Sequence, residues 1–328
     1  MLTQNLSHSL SNGRLSCCVL VATYRRPARL VSCLRSLAAQ SELPDEVVIA
    51  YQGTDEESPK TVKAIAGELP MPIVEVYVAK PGIVAAENAA LRASNCDIVV
   101  LLDDDAIAPP QFIERHRTYY QDPTVGAAGG CVYNFYPNGN PYPCRETQDL
   151  GKITFFGRII GHLHDHPKTW QERQTTEVDH TAGGNMSIRR VAFSKFEDRL
   201  RPYWHFFETD ACLQVKQRGY KIIFDFANTV NHFPSITEYD RYNKQTAVRH
   251  VYNVAYNRGL IHSKFSSLPL LAARMIYWML IGSRNEPGLL AMLVNAATTR
   301  RLVSELRICS KVLPSYVTGV LAGVQHED

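Results

Sequence analysis

The sequence predicts an α/β fold: a mostly parallel central sheet flanked by helices, followed by a helical C-terminal extension. Three observations carry this. Apolar runs rich in β-branched residues recur through the first third of the chain, as strands buried on both faces require. Segments with apolar residues at helical spacing lie between them, so strand and helix alternate and the crossovers are right-handed. From residue 239 onward only helical periodicity remains. A length of 328 residues, 45% hydrophobic and 20% charged, suits one large globular domain or two smaller ones.

Residues 1–14 read as a flexible lead, polar and without the basic start and apolar core of a signal peptide. Cys17-Cys18-Val19-Leu20-Val21-Ala22 is the first strand. Pro27 suits the first turn of a helix, and Leu30, Val31, Leu34, Leu37 and Ala38 continue it at helical spacing. A second strand covers 46–51, a helix 61–69 and a third strand 73–79. Pro81-Gly82 opens a helix through 93, and the fourth strand covers 97–102. Pro109-Pro110 starts a helix reaching about residue 121. Residues 134–178 are rich in Pro, Gly, Asn and His, as functional loops or lids are. A helix over 209–218 closes at Gly219, a strand covers 220–225, and helices cover roughly 240–262, 268–283 and 288–310.

Eight cysteines without regular spacing argue against a disulfide framework or a zinc site and for a reducing compartment, so a cytoplasmic location is expected. No run reaches the roughly 18 apolar residues of a spanning helix. Net charge is +3, which gives no reason to expect a nucleic-acid partner. Residues 258–311, however, carry eight Lys/Arg against Glu286 and Glu305, a net +6. That region could lie peripherally on the inner face of an anionic membrane, or be a helical cap with a solvated basic face.

The chemistry concentrates at Asp103, Asp104 and Asp105, which end the apolar run Ile98-Val99-Val100-Leu101-Leu102. Acids at the carboxyl end of a parallel strand face the crevice where such sheets bind ligands. Three adjacent carboxylates call for a cation, and Mg²⁺ or Mn²⁺ suits oxygen donors. Residues two apart in an extended segment face one way, so Asp103 and Asp105 can share the ion. His232, after the 220–225 strand, is a plausible third ligand. Glu208 and Asp210 start the 209–218 helix, where acids suit the helix dipole or can serve as a general base. The aromatic stretch before them, with Trp204, could form a sugar-binding wall. Gly183-Gly184-Asn185 offers close backbone approach and one amide, for an acceptor, a phosphate or merely a tight turn. Asn88 could meet a diphosphate or be exposed. His162, His164 and His166 read as a solvated or lid segment. No glycine-rich dinucleotide fingerprint or P-loop follows the first strand.

Taken in order, these segments resemble family 2 glycosyltransferases, inverting enzymes of the Rossmann-like GT-A fold. The segments are VLVATYRRPARLVSCLRSL, PGIVAAENAAL, LLDDDA, TAGGNMSIRR, ETDACLQVKQRGYKIIF and NHF. The resemblance implies a glycosyltransferase domain over 15–235, with a nucleotide-sugar half at 15–132 and an acceptor half at 133–235, and a helical region over 236–328. It implies that Asp103, Asp105 and His232 bind the metal. Thr23, Tyr24, Arg26, Gln52, Asn88, Asp103 and Asp104 belong with the donor, and Gly183, Gly184, Asn185 and Trp204 with the acceptor. Glu208, with Asp210 second, matches the catalytic base. The donor is then a UDP, GDP or dTDP sugar, and the acceptor a saccharide or lipid-linked saccharide, as in polysaccharide assembly. Two positions depart from the pattern: Gln52 replaces the aspartate that meets the nucleotide base, and Glu87 replaces an arginine. The rival readings are a nucleotidyltransferase and a non-catalytic sugar- or nucleotide-binding module.

Overall fold

A computed structural model describes residues 14–136, 138–141, 149–161, 174–202, 206–234, 244–283, 286–299 and 302–324. Trp204, the three alternating histidines and the lead through residue 13 lie outside the described residues.

The first half alternates as expected: β1 (Cys17–Thr23), α1 (Pro27–Ala38), β2 (Glu46–Gln52), α2 (Glu57–Ala64), β3 (Ile73–Val78), α3 (Ile83–Ala93) and β4 (Ile98–Leu101). The chain continues through β5 (Ala106–Ile107), α4 (Phe112–Tyr119), β6 (Val125–Asn134), β7 (Lys152–Ile153), β8 (Ile159–Ile160), β9 (Thr175–Glu177) and β10 (Met186–Arg189). It ends with α5 (Phe207–Gln217), β11 (Lys221–His232), α6 (Lys244–Lys264), α7 (Leu268–Leu280), α8 (Leu289–Thr299) and α9 (Leu302–Val324).

Nine of the strands form one sheet in the order β3-β2-β1-β4-β10-β6-β11-β5, with β9 also on β11, and β7 pairs with β8 in a separate two-stranded sheet. Alternation along each strand builds a core on both faces. Cys18, Leu20 and Ala22 pack with Val48, Val99 and the α3 residues Ala86, Ala90 and Leu91. Cys17, Val19 and Val21 pack with Ile49, Val100 and the α1 residues Leu30, Leu34 and Leu37.

Four expectations needed correction. The second helix starts earlier, at Glu57, because Asp55 accepts from Ser58 N and Oγ at 3.1 and 2.7 Å and so caps it. The expected 220–225 strand runs on to His232, past an irregularity between Asp225 and Thr229. The expected 288–310 helix is two, α8 and α9. Part of the 134–178 stretch is a docked hairpin, β7–β8: Trp278 Nε1 donates to Phe156 O at 2.7 Å, and the Phe156 ring stacks on Tyr277.

Strand directions bring the site together. β1, β2 and β4 are parallel and end at one edge, in Thr23, Gln52 and the aspartates. β10 runs antiparallel between β4 and β6, with Met186 opposite Leu101, so the turn before it lies at that edge. β6 and β11 are parallel and also end there, with His232 opposite Asn134 and Ala106. Seven described cysteines are buried. Cys18, Cys96 and Glu46 bring donor atoms within 4.8 Å, an arrangement with no sign in the cysteine spacing. No helix of the described residues is long and apolar enough to cross a membrane.

Candidate functional site

Asp103, Asp104 and Asp105 do not continue the strand as an extended segment: they enter a turn that Ala106 N closes by donating to Asp103 O at 3.0 Å. Asp104 is fully buried and accepts from Thr23 Oγ1 at 2.6 Å. Burial pushes its carboxyl above the ordinary range, against the pull of Arg26. Arg26 bridges two of the acids, with Nη2 2.6 Å from Asp104 Oδ1 and Nη1 donating to Asp105 Oδ2 at 2.6 Å. Asp103 is the more open of the three.

His232 Nε2 lies 2.9 Å from Asp105 Oδ1 and 3.7 Å from Asp103 Oδ2. Donor atoms of Asp103, Asp105 and His232 all lie within 4.8 Å of one another and could hold a metal ion. The opposite ring nitrogen, Nδ1, is 2.6 Å from Asn134 Oδ1. Such a partner fixes the tautomer and aims Nε2 at the carboxylates, as in histidines that ligate metals. Two carboxylates and an imidazole fit Mn²⁺ well, and Mg²⁺ less typically. Burial raises Asp105, but His232 and Arg26 together hold it below the usual carboxylate value.

Glu208 stands on the first turn of α5. Phe206, just before the helix, takes φ +92°, a left-handed conformation that a bulky residue rarely adopts. Burial pushes Glu208 up to about 8, the charge of Asp103 adds to this, and the Gly183 N–H, 3.4 Å from Oε1, opposes it. Gly183 and Gly184 are the floor between the acids. A Cβ on Gly183 would stand 3.0 Å from Glu208 Cγ, and one on Gly184 would stand 2.6 Å from Asp103 Oδ2. Gly184→Ala is therefore expected to displace Asp103 and lower kcat/KM by roughly 10²-fold, with little change in Tm; steady-state kinetics and a melting curve check both.

Several expected site residues are engaged elsewhere. Asp210 follows Glu208 by two, so on a helix it faces nearly the other way. Its Oδ1 is 2.5 Å from Lys264 Nζ, while Oδ2 accepts from Glu197 N and Gln214 Nε2 at 3.0 and 2.9 Å. It ties α5 to α6 and is not placed to act as the base. Asn185 is fully buried, donating to Cys131 O and Asn228 O, with Oδ1 3.1 Å from His116 Nε2. It anchors the glycine turn and leaves no amide proton for an acceptor. Asn88 donates to Phe196 O and Asp198 Oδ1 and accepts from Phe196 N. Both N–H groups are used, so it holds α3 in place and is not placed to meet a donor. Asn88→Ala is expected to cost about 1–3 kcal/mol of stability, measured by chemical denaturation, with the donor KM unchanged. Gln52 lies at the crevice edge but is buried, accepting from Gly82 N at 2.8 Å and donating to Thr23 O at 3.2 Å. The nearby Asp55 is occupied by Arg25 N and Ser58. Tyr24 is exposed beside Arg25.

Residues 18–197, more than half of the chain, match the profile described as Glycosyl transferase family 2. The chain belongs to that family. Among curated proteins, it is 34% identical over 145 residues to the amylovoran biosynthesis glycosyltransferase AmsE of Erwinia amylovora, covering 43% of this chain and 54% of that one. The match thus spans about half the length of AmsE. It is 26% identical over 239 residues to the glucosyl-dolichyl phosphate glucuronosyltransferase of Haloferax volcanii, covering 68% and 71%. A mannosyltransferase from Pyrobaculum calidifontis, solved with GDP-Man and Mn²⁺, superposes with a TM-score of 0.55 at 15% identity, over 97% of this chain and 89% of that one. The fold of this family 2 member is GT-A.

Two residues of the site escaped sequence reasoning. Asn134 sits in β6, which was not legible as a strand, and nothing marked it. Glu87 showed only as a departure from the family pattern. It is buried, with Oε2 lacking a hydrogen-bond partner among the described residues. Burial first, then the charges of Asp103 and Glu208, push its carboxyl well above the usual range. A carboxyl so placed resists ionisation.

Proposed function

We propose that this glycosyltransferase moves a sugar from a nucleoside-diphosphate donor to a hydroxyl of a saccharide or lipid-linked saccharide, with inversion. The observation that carries the reading is Glu208 beside Asp103, at the strand edge that also gathers Asp105 and His232. Asp103, Asp105 and His232 would hold a divalent cation, Mn²⁺ or Mg²⁺. When bound there, such an ion neutralises charge on the leaving diphosphate. Glu208 takes the proton of the acceptor hydroxyl as its oxygen bonds to the anomeric carbon and the bond to the diphosphate breaks. Attack on the face opposite the leaving group gives inversion. Thr23, Tyr24 and Arg26 lie on the donor side and Gly183 and Gly184 on the acceptor side. The relatives named for amylovoran biosynthesis and for glucosyl-dolichyl phosphate support acceptors of this class.

The test is thermal unfolding of the protein with Mn²⁺ and UDP, GDP or dTDP, against an EDTA control, followed by product analysis with donor sugars. A ligand specific for the folded state raises Tm with its saturation. A metal-dependent shift with one nucleotide, then release of that nucleoside diphosphate on transfer, is expected. Release of pyrophosphate would instead assign a nucleotidyltransferase. Binding without turnover across donors and acceptors would assign a binding module.

A further inference from the structure

Helix α8 carries no charged residue and buries only Met292 and Ala296 fully among its described side chains. Its outward face is Leu289, Leu290, Leu293 and Val294, between 42% and 62% exposed. A helix facing water ordinarily sets polar residues there. The face continues on both sides. Gly288 N donates to Ile281 O at 3.0 Å, which brings the start of α8 against exposed Ile281 and Leu280, with Ile276 one turn back on α7. Leu302, Val303 and Leu306 are exposed on the first turns of α9. Single exposed apolar residues are normal, but a run across three consecutive helices marks an interaction surface.

The charges on and beside these helices are predominantly basic. Arg307 and Lys311 are exposed on the same stripe of α9 as Val303, and Arg284, Arg300 and Arg301 flank α8 in the sequence. Of the acids, Glu286 is buried against Arg258 at 2.6 Å, leaving Glu305. A second copy of the chain docking here about a two-fold axis would set these cations against one another. An anionic bilayer complements them.

We propose that the outward face of α7–α9 is an interfacial anchor for an anionic membrane. The α8 leucines enter the boundary between headgroups and acyl chains, while Arg307 and Lys311 meet lipid phosphates. This goes beyond the sugar-transfer reading and is independent of it.

The test is flotation of the full chain with vesicles of phosphatidylcholine alone or equimolar with phosphatidylglycerol, at low and high salt. Flotation with the anionic vesicles only, weakened by salt, is expected. Leu290→Ser with Leu293→Ser should weaken it roughly tenfold. Arg307→Gln and Lys311→Gln should each weaken it about fivefold. The nucleotide-induced rise in Tm should be the same in all variants, which separates this result from failure of the donor site. Folded wild-type protein that does not float with anionic vesicles overturns the proposal. So does a dimer in light scattering that Leu290→Ser with Leu293→Ser dissociates, which assigns the face to self-association.

Discussion

Glu208→Gln is expected to lower kcat by about 10²- to 10⁴-fold, the usual contribution of a positioned general base, while the metal-dependent Tm shift with nucleotide persists. The side chain keeps its size and its place beside Gly183 and loses only the ability to take a proton. Burial holds the carboxyl up at about 8, so its basic form grows as the pH rises towards that value. The rate should therefore climb with pH well above the ordinary carboxylate range and then level off. A cation at Asp103 would move this limb downward. The same shift has the opposite sign for stability. The folded state binds the Glu208 proton more tightly than the unfolded chain, so this group favours folding at low pH. That contribution is lost between the ordinary value of 4.5 and about 8. Glu208→Gln should flatten that part of the curve of Tm against pH. A glutamine variant with native kcat removes Glu208 as the base.

The sequence made β1, β2 and β4 legible because these strands are buried on both faces and so read as apolar runs. β6, VGAAGGCVYN, hid for the opposite reason. A Cβ on Gly129 would stand 1.9 Å from Thr181 Oγ1, and one on Gly130 would stand 1.9 Å from Asn228 O. Close approach of neighbouring segments dictates glycine there, against strand propensity. With β6 went Asn134, and with it the partner that orients His232. Spacing alone drew Asp103 and Asp105 to one side of their strand end. It could not separate Glu208 from Asp210, or tell Asn185 the anchor from Gly183 and Gly184 the floor. Those distinctions depend on Lys264, Asn228 and His116, which reach the site from elsewhere in the chain. The fold could be read from local pattern, whereas the roles of these amides and acids rest on long-range hydrogen bonds.

Asp105→Ala is expected to abolish transfer and, with it, the Mn²⁺-dependent rise in Tm with nucleotide. Asp105 is the residue on which the cluster converges: Oδ1 faces His232 Nε2 at 2.9 Å and Oδ2 accepts from Arg26 at 2.6 Å. Without it the nearest carboxylate to His232 is that of Asp103, at 3.7 Å, and one side of the candidate metal position is open. The fold should survive. Arg26 keeps its pair with Asp104 at 2.6 Å, so removing Asp105 also relieves repulsion among three adjacent acids. The uncompensated buried charge that makes broken ion pairs cost about 3–5 kcal/mol is thus avoided, and a loss nearer 1–2 kcal/mol is expected. The pH dependence checks the assignment separately. His232 and Arg26 hold the folded-state value of Asp105 below 3.8, so its contribution is present above that pH and lost as the pH falls through the lowered value. The alanine variant should accordingly lose less stability on acidification than wild type. Turnover at the wild-type rate in a folded Asp105→Ala protein, with its Mn²⁺ response intact, would move the metal away from this cluster.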